Sequence, residues 1–255
     1  KEGTATAESF KAAIRGSRVV NAAEIGWREA GRGGWMWVLM SPDGTSYYHY
    51  DRSRAGEVAR ELWGGDFKGT LCTDFYAAYT QHTGPSQRCG VHLLRDLQEL
   101  AETHRENAEL VEGVGEVVKM YKAGSKLDKQ EAQPSQRERD ELYGQVLARA
   151  REWGRKWART RGHPGEALCK RLLRHDRERV QFVKQAEVEA TNNAAERKIS
   201  PIAVVRHSSG GSRSAAGSAT RARLHTLYSS WAGHGLDLMP DWLKMLGAQI
   251  PLPSS

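Results

Sequence analysis

The stretch Thr191-Asn192-Asn193-Ala194-Ala195-Glu196-Arg197 places a lone carboxylate, Glu196, three residues after Asn193. From Arg197 to Leu236 no Asp or Glu follows. Arg197, Lys198, Arg206, Arg213, Arg221 and Arg223 supply positive charge there, around the turn Ser208-Ser209-Gly210-Gly211-Ser212. An acid at the entrance of a cationic, glycine-bearing stretch is what a metal ligand beside a phosphate-binding surface would look like. The same spacing also serves a capping box, in which Glu196 only satisfies backbone donors at a helix start. The turn is open to two uses as well: its N–H groups could cradle a phosphate, or it could simply close a loop. A second acid, Asp74, ends the run Gly69-Thr70-Leu71-Cys72-Thr73, either as a turn residue or as a ligand at a strand end. Hard oxygen donors of this kind suit Mg²⁺ or Mn²⁺.

The elements that must position these residues are legible from periodicity. Residues Lys1 to Arg15 read as a short helix carrying Phe10, Ala13 and Ile14. Ser17 to Trp27 suits a buried strand, Gly31 to Gly34 a turn, and Trp35 to Met40 an apolar strand. Pro42-Asp43-Gly44 is a hairpin signal leading into Ser46 to Tyr50, so the chain opens with a three-stranded meander. The period then changes: Ala55, Val58, Ala59, Leu62 and Trp63 share one helical face. A short strand ending on Asp74, a helical turn, a strand from Gln87 to Val91 and a helix with Leu93, Leu94, Leu97 and Leu100 follow. From Asn107 to Val188 the pattern is helical and charged, with a turn at Glu131 to Ser135 and another at Gly162 to Gly165. Trp153 and Trp157, four apart, share a face as core residues. The last segment holds the helix around Glu196, the Ser/Gly turn and a final helical region through Leu227, Trp231 and Trp242-Leu243.

This order predicts an α/β protein with a ribonuclease H-like, mixed five-stranded sheet flanked by helices, interrupted by an all-helical insertion before the last catalytic helix. The expected divisions are a helical lead-in over 1–16, the first part of the core over 17–106, the insertion over 107–188, and core completion with basic C-terminal helices over 189–255. In such a fold, acids at the first and fourth strands and on a late helix converge on two divalent cations. Those ions stabilise the attacking and leaving oxygens of a phosphoryl displacement.

Composition narrows the class. The 255 residues carry a net charge of +7, which favours a polyanionic partner, nucleic acid first. No run of apolar residues is long enough for a membrane span. Cys72, Cys89 and Cys169, odd in number and without a CxxC pair, argue against a disulfide framework or a structural zinc site and fit a reducing compartment. A start at Lys1 rather than methionine points to part of a longer chain.

Five stretches then carry a family resemblance: Asn21-Ala22-Ala23-Glu24-Ile25-Gly26-Trp27, Thr73-Asp74-Phe75-Tyr76-Ala77-Ala78-Tyr79, Arg88-Cys89-Gly90-Val91-His92-Leu93-Leu94-Arg95-Asp96-Leu97, Glu189 to Arg197, and Ser208 to Ser214. In this order, from about Val19 to Leu246, they resemble the motifs of bacterial insertion-sequence transposases of the IS66 type, which have a DDE catalytic core. The resemblance implies Mg-dependent DNA strand cleavage at transposon ends. Water attacks first, and the freed 3′-hydroxyl then attacks target DNA. It also implies a homo-oligomer on DNA in the bacterial cytoplasm, associated with the nucleoid. Carried over by position, Asp74 is the second metal-ligating acid and Glu196 the third. Cys89 and His92 match a CxxH signature found after the second acid in several transposase families. The alternatives are that Cys89 is merely buried and that His92 orients neighbours or touches DNA. Arg197, Lys198, Arg206, Arg213, Arg221 and Arg223 would supply salt-dependent phosphate contacts.

One departure matters most. The family motif has Asp immediately before Glu-(Thr/Ile)-Gly-Trp, and here that position is Ala23. Glu24 is adjacent, but successive strand side chains point to opposite faces, so it is not expected to substitute. The two-ion site is therefore expected to be weakened, and this copy to be inactive or impaired. The alternative is a domesticated, non-catalytic DNA-binding protein with a transposase fold; a third reading gives the helical insertion a structural or oligomerisation role. Transposases of this type usually also carry N-terminal regions with a zinc-binding segment. No such ligand spacing occurs here, so recognition of transposon ends is expected to be incomplete.

Overall fold

The computed structural model describes residues 2–127 and 133–236. Glu131 and Ala132 of the expected interhelical turn, and Trp242-Leu243 of the expected final helix, lie outside them. Two compact units emerge: one of Lys1–Leu71, Tyr76–Gly84 and Asn193–Ser255, the other of Cys72–Phe75 and Pro85–Asn192. Among the described residues no helix is long and apolar enough to cross a membrane.

The first unit opens with helix α1 (Glu2–Arg15) and the meander β1 (Val19–Glu29), β2 (Arg32–Met40) and β3 (Ser46–Asp51). Both pairings are antiparallel, with Ala23 opposite Val38 and Glu24 opposite Trp37. The β1–β2 turn is Ala30-Gly31, at φ 49° and 78°, the two positive values that a tight hairpin demands. It is thus shorter than the expected Gly31 to Gly34 turn. Gly33 and Gly34 belong to β2 because Tyr50 of β3 lies over Gly34, where a Cβ would come within 2.4 Å of the tyrosine hydroxyl. At the next turn Asp43 Oδ1 accepts from Ser41 Oγ and from the Thr45 N–H.

Helix α2 (Gly56–Trp63) follows, and then β4 (Thr70–Thr73), which begins in the first unit and ends in the second, and β5 (Ser86–Arg88) in the second. The strands form one five-stranded sheet in the order β3-β2-β1-β4-β5. This is the mixed sheet with flanking helices anticipated from the pattern. β5 is shorter than expected, and Val91 already lies in helix α3 (Gly90–Thr103).

Alternation along the strands gives the first unit two cores. Val20, Ala22, Trp37, Leu39 and Tyr47 pack with Ile14 of α1, with Leu62 and Trp63 of α2, and with Tyr79. On the opposite face Trp27, Met36, Val38 and Tyr48 pack with Ala195, Ile199 and Ile202 of helix α8 (Asn193–Ser209) and with Ala222 of helix α9 (Ala215–Gly233). Each fully buried side chain of this size contributes roughly 1.5–3 kcal/mol.

α9 also solves the problem of the sheet's edge. β3 is the outermost strand, and its outward backbone groups need partners. The Ser46 N–H donates to Ser230 Oγ, which donates in turn to the Ser46 carbonyl, and the Tyr48 N–H donates to Thr226 Oγ1 at 2.8 Å. The turn between α8 and α9 is spliced onto the end of β1. Ala30 N–H donates to Ser212 O at 2.7 Å, Ser212 N–H donates to Arg28 O at 2.8 Å, and Trp27 Nε1 donates to Ser212 Oγ.

The second unit is helical beyond its strand segments: α3, α4 (Ala108–Ser125), α5 (Gln136–Trp157), α6 (Glu166–Arg174) and α7 (Gln181–Lys184). Ser135 and Glu138 form a capping box at the start of α5. Trp153 and Trp157 pack edge to face at 5.0 Å, buried as expected. Trp153 lies over Gly113 of α4, where a Cβ would stand 1.9 Å from its ring.

Two glycines give opposite expectations. Gly211 has φ +112°, and a Cβ there would sit 2.2 Å from Arg28 O, whereas a Cβ at Gly115, inside α4, would meet nothing within 4 Å. Urea unfolding should show Gly211→Ala losing about 1–3 kcal/mol and Gly115→Ala gaining roughly 0.5–1 kcal/mol.

Candidate functional site

The first unit settles where positions 23 and 24 face. Ala23 is half-buried and packs against the core that holds Val38, Ala194, Ala195 and Ile199, on the α8 side of β1. Glu24 lies on the other side, with its side chain only 2% exposed. Arg54 donates to its Oε1 through Nη2 at 2.5 Å and Nε at 3.2 Å, and Tyr79 Oη donates to Oε2. The guanidinium of Arg54 is stacked between Trp35, 4.3 Å from the ring centroid, and Tyr76, at 3.6 Å. Tyr76 Oη closes the cluster by donating to Arg54 O. Glu24 is therefore occupied by a buried ion pair and cannot turn to the α8 face.

Glu196 stands in the first turn of α8, where a carboxylate also complements the helix dipole. The helix begins at Asn193, so Asn193 holds the first helical position, one residue later than a cap. The cap-to-third-residue spacing read from the sequence is thus shifted by one. Ala23 and Glu196 lie on elements that pack against each other, β1 and α8.

In the second unit, Asp74 is the first residue beyond β4. Its carbonyl accepts from Arg88 Nη1 at 2.9 Å and from Thr73 Oγ1 at 3.0 Å. Arg88, with a side chain 3% exposed, also donates to Thr73 Oγ1 and pairs with Glu178 through Nε at 2.7 Å. Phe75 lies against His92, His175 and the guanidiniums of Arg171 and Arg179. Burial lowers the Arg179 pKa to about 10, which leaves it charged at neutral pH. Arg88 was missed as a site residue, although it heads the motif that contains Cys89 and His92.

Cys89 is buried, and its sulfur accepts from Asn192 N–H at 3.3 Å. Gly90 N–H donates to Ala190 O, and a Cβ at Gly90 would lie 1.5 Å from Tyr121 Oη, which itself donates to Ala190 O. This part of the motif thus packs the chain that leads into α8. His92 Nδ1 is buried without a hydrogen-bond partner among the described residues.

The basic residues divide. Arg206 Nη1 donates to Gly26 O at 2.8 Å, and Lys198 Nζ donates to Ser229 O at 3.2 Å. Burial lowers the pKa of Lys198. Arg221 lies over the Trp27 ring and is half-buried, as is Arg223, while Arg197 and Arg213 are exposed. The Ser/Gly turn makes no open phosphate cradle: Gly210 N–H donates to Arg206 O, Gly211 N–H to Ser209 Oγ and Ser212 N–H to Arg28 O. Those donors are consumed in closing the turn onto β1.

The Arg88–Glu178 pair makes a testable link to Asp74. Burial works to raise the Glu178 carboxyl, and Arg88 and His175 overcome it, holding the group below its ordinary 4.5. The pair's stability is present above that pH and lost as pH falls through the depressed value. Arg88→Gln should cost roughly 2–3 kcal/mol in urea unfolding at pH 7, because it strands a partly buried carboxylate. Its deficit relative to the parent should shrink below about pH 4.

No curated protein sequence matches the chain. The family model described as Transposase IS66 family matches residues 4–220, which include every stretch from Asn21 to Ser214 quoted above. A match over most of the chain settles the kinship: the protein belongs to the IS66 family of transposases.

Proposed function

We propose that the chain is a DDE-type transposase core of ribonuclease H-like fold that binds DNA but cleaves it poorly. The observation that carries this reading is Ala23, a methyl group packed against α8 at the position of the family's first acid. Asp74 and Glu196 are hard oxygen donors suited to Mg²⁺ or Mn²⁺. Ala23 offers no donor, and Glu24 is committed to Arg54 and Tyr79. The chain's own residues therefore do not complete a three-carboxylate, two-ion site, and strand cleavage and transfer at transposon ends are impaired.

What remains is positioning and binding. Arg88 fixes the backbone of Asp74, and α8 carries Glu196 at its start. Arg197 and Arg213, both exposed, with the half-buried Arg223 of α9, supply phosphate contacts for transposon-end and target DNA. Such contacts give affinity that falls steeply with salt. A homo-oligomer on DNA fits a reaction that must act on two ends. The alternative, a domesticated DNA-binding protein that keeps the transposase fold, draws on the same observation, the packing of Ala23 against the core that α8 shares.

The test restores the acid. Ala23→Asp, assayed with Mg²⁺ on a plasmid carrying the DNA that flanks the source gene, should cleave at least about a hundredfold faster than the Ala23 protein. Equal and substantial cleavage by both forms would overturn the proposal, and cleavage by neither would favour the domesticated reading. Separately, Arg213→Ala should weaken duplex binding uniformly across sequences and reduce the slope of log K against log salt by about 1.

A further inference from the structure

Within the second unit, Phe75, one position beyond Asp74, lies over an arginine that the protein buries without bonding. Arg179 closes the 3₁₀ turn Arg177–Arg179, and Gln87 Nε2 donates to its carbonyl at 3.3 Å, so its backbone is fixed. The residue is 3% exposed. Its Nε, Nη1 and Nη2 are all buried, and none meets a hydrogen-bond acceptor among the described residues. The Phe75 ring covers the guanidinium, with Cζ 4.6 Å from the ring centroid. Arg171 of α6 approaches the same ring to 5.8 Å; its Nη2 donates to Asp96 Oδ2, and its Nε is buried and unbonded. His92 of α3 stands edge to face on that ring, and its Nδ1 is likewise buried without a hydrogen-bond partner.

A ring over a guanidinium attracts its charge but accepts none of its in-plane N–H groups, which still need oxygen acceptors. Leaving a buried cation without them is costly. The acids whose charge reaches Arg179 are Asp96 and Glu178. Each is already bonded elsewhere, Asp96 to Arg171 and Glu178 to Arg88 and His175. An external oxyanion supplies what these acids do not. The two non-bridging oxygens of a phosphodiester match the guanidinium fork and accept from it in pairs. We propose that Arg179 and Arg171 form a binding site for one phosphodiester group of DNA, and that Phe75 is its displaceable cover. With the half-buried ring in place the guanidiniums are held by cation–π contact. When the ring swings out, the phosphate takes its place against Arg179 and the Arg171 Nε, with His92 Nδ1 as a third polar contact. The proposal rests on the reading of the chain as a DNA-binding transposase core and adds a phosphate site next to Asp74 that the exposed arginines do not supply.

Inorganic phosphate is the first probe, its affinity read from the rise in Tm at an ionic strength held constant with chloride. Phe75→Ala removes the cover and with it the cost of opening, so it should bind phosphate about tenfold more tightly than the parent. Adding Arg179→Met to Phe75→Ala should abolish that binding. Phe75→Leu keeps apolar bulk without a ring face; it should shift in the same direction and serves if the alanine variant does not fold. Protection by phosphate no greater than by chloride in the Phe75 variants, or protection that survives Arg179→Met, would overturn the site. The second probe is a fluorescein-labelled DNA duplex followed by anisotropy. Arg179→Met in the parent should weaken duplex binding and reduce the slope of log K against log salt by about 1. An unchanged slope, with phosphate still bound by Phe75→Ala, would make the occupant free phosphate and overturn the assignment to DNA. Failure of every form to bind duplex would instead overturn the DNA-binding reading, and the DNA phosphate as occupant with it.

Discussion

The alternation of side chains along β1 is the constraint on which the rest of the first unit depends. A strand sends successive residues to opposite faces, and in β1 the two faces have different work. Ala22 faces the core closed by α1 and α2, and Glu24 faces the side occupied by Arg54 and Tyr79. Ala23, Ile25 and Trp27 face α8. A buried carboxylate is tolerable only when paired and hydrogen-bonded, so the Arg54 guanidinium, stacked between Trp35 and Tyr76, is a condition of Glu24 being there at all. Moving Glu24 to the other face would need a one-residue slip of register. That slip would expose Trp27 and bury Arg28 in its place.

The second dependence runs through backbone hydrogen bonds. α8 and α9 are held at two places by the meander they cover: Ser212 at the end of β1, and Thr226 and Ser230 along the free edge of β3. These contacts use the donors that an anion would otherwise meet in the Ser/Gly turn. They also explain why the positive charges of this segment are not equivalent. Arg206 and Lys198 cap carbonyls of Gly26 and Ser229 and serve the fold, which leaves Arg197 and Arg213 facing water.

Much of this was legible in the sequence, and the residues that were not share a cause. The apolar alternation of β1 to β3 and the single stripe of α2 are local patterns, and local patterns announce their elements. Asp74 at the end of an apolar run was legible for the same reason. The Ala30-Gly31 turn was misplaced because Gly33 and Gly34 read as loop, when Gly34 is small to admit Tyr50 from the neighbouring strand. Arg88 was passed over because its role depends on Glu178, ninety residues on. The commitment of Lys198 and Arg206 was equally hidden, since a charge in a sequence does not say which carbonyl it will find. Non-local partners decide what these residues do, and no periodicity encodes them.

Ala23 joins the fold and the chemistry in one position. A carboxylate on the α8 face of β1, without cations to neutralise it, would be a half-buried charge beside Ala194, Ala195 and Ile199. Such a group must raise its pKa, find a partner or destabilise the core. A catalytic core accepts that cost because the reaction requires the charge, and stability gained by removing such a group commonly comes at the expense of function. Alanine removes the cost and closes the apolar contact between β1 and α8. On the proposed reading, alanine at this position separates two properties that an acid there would set against each other: the integrity of the sheet–helix interface, which this chain keeps, and a carboxylate on that face, which position 23 lacks.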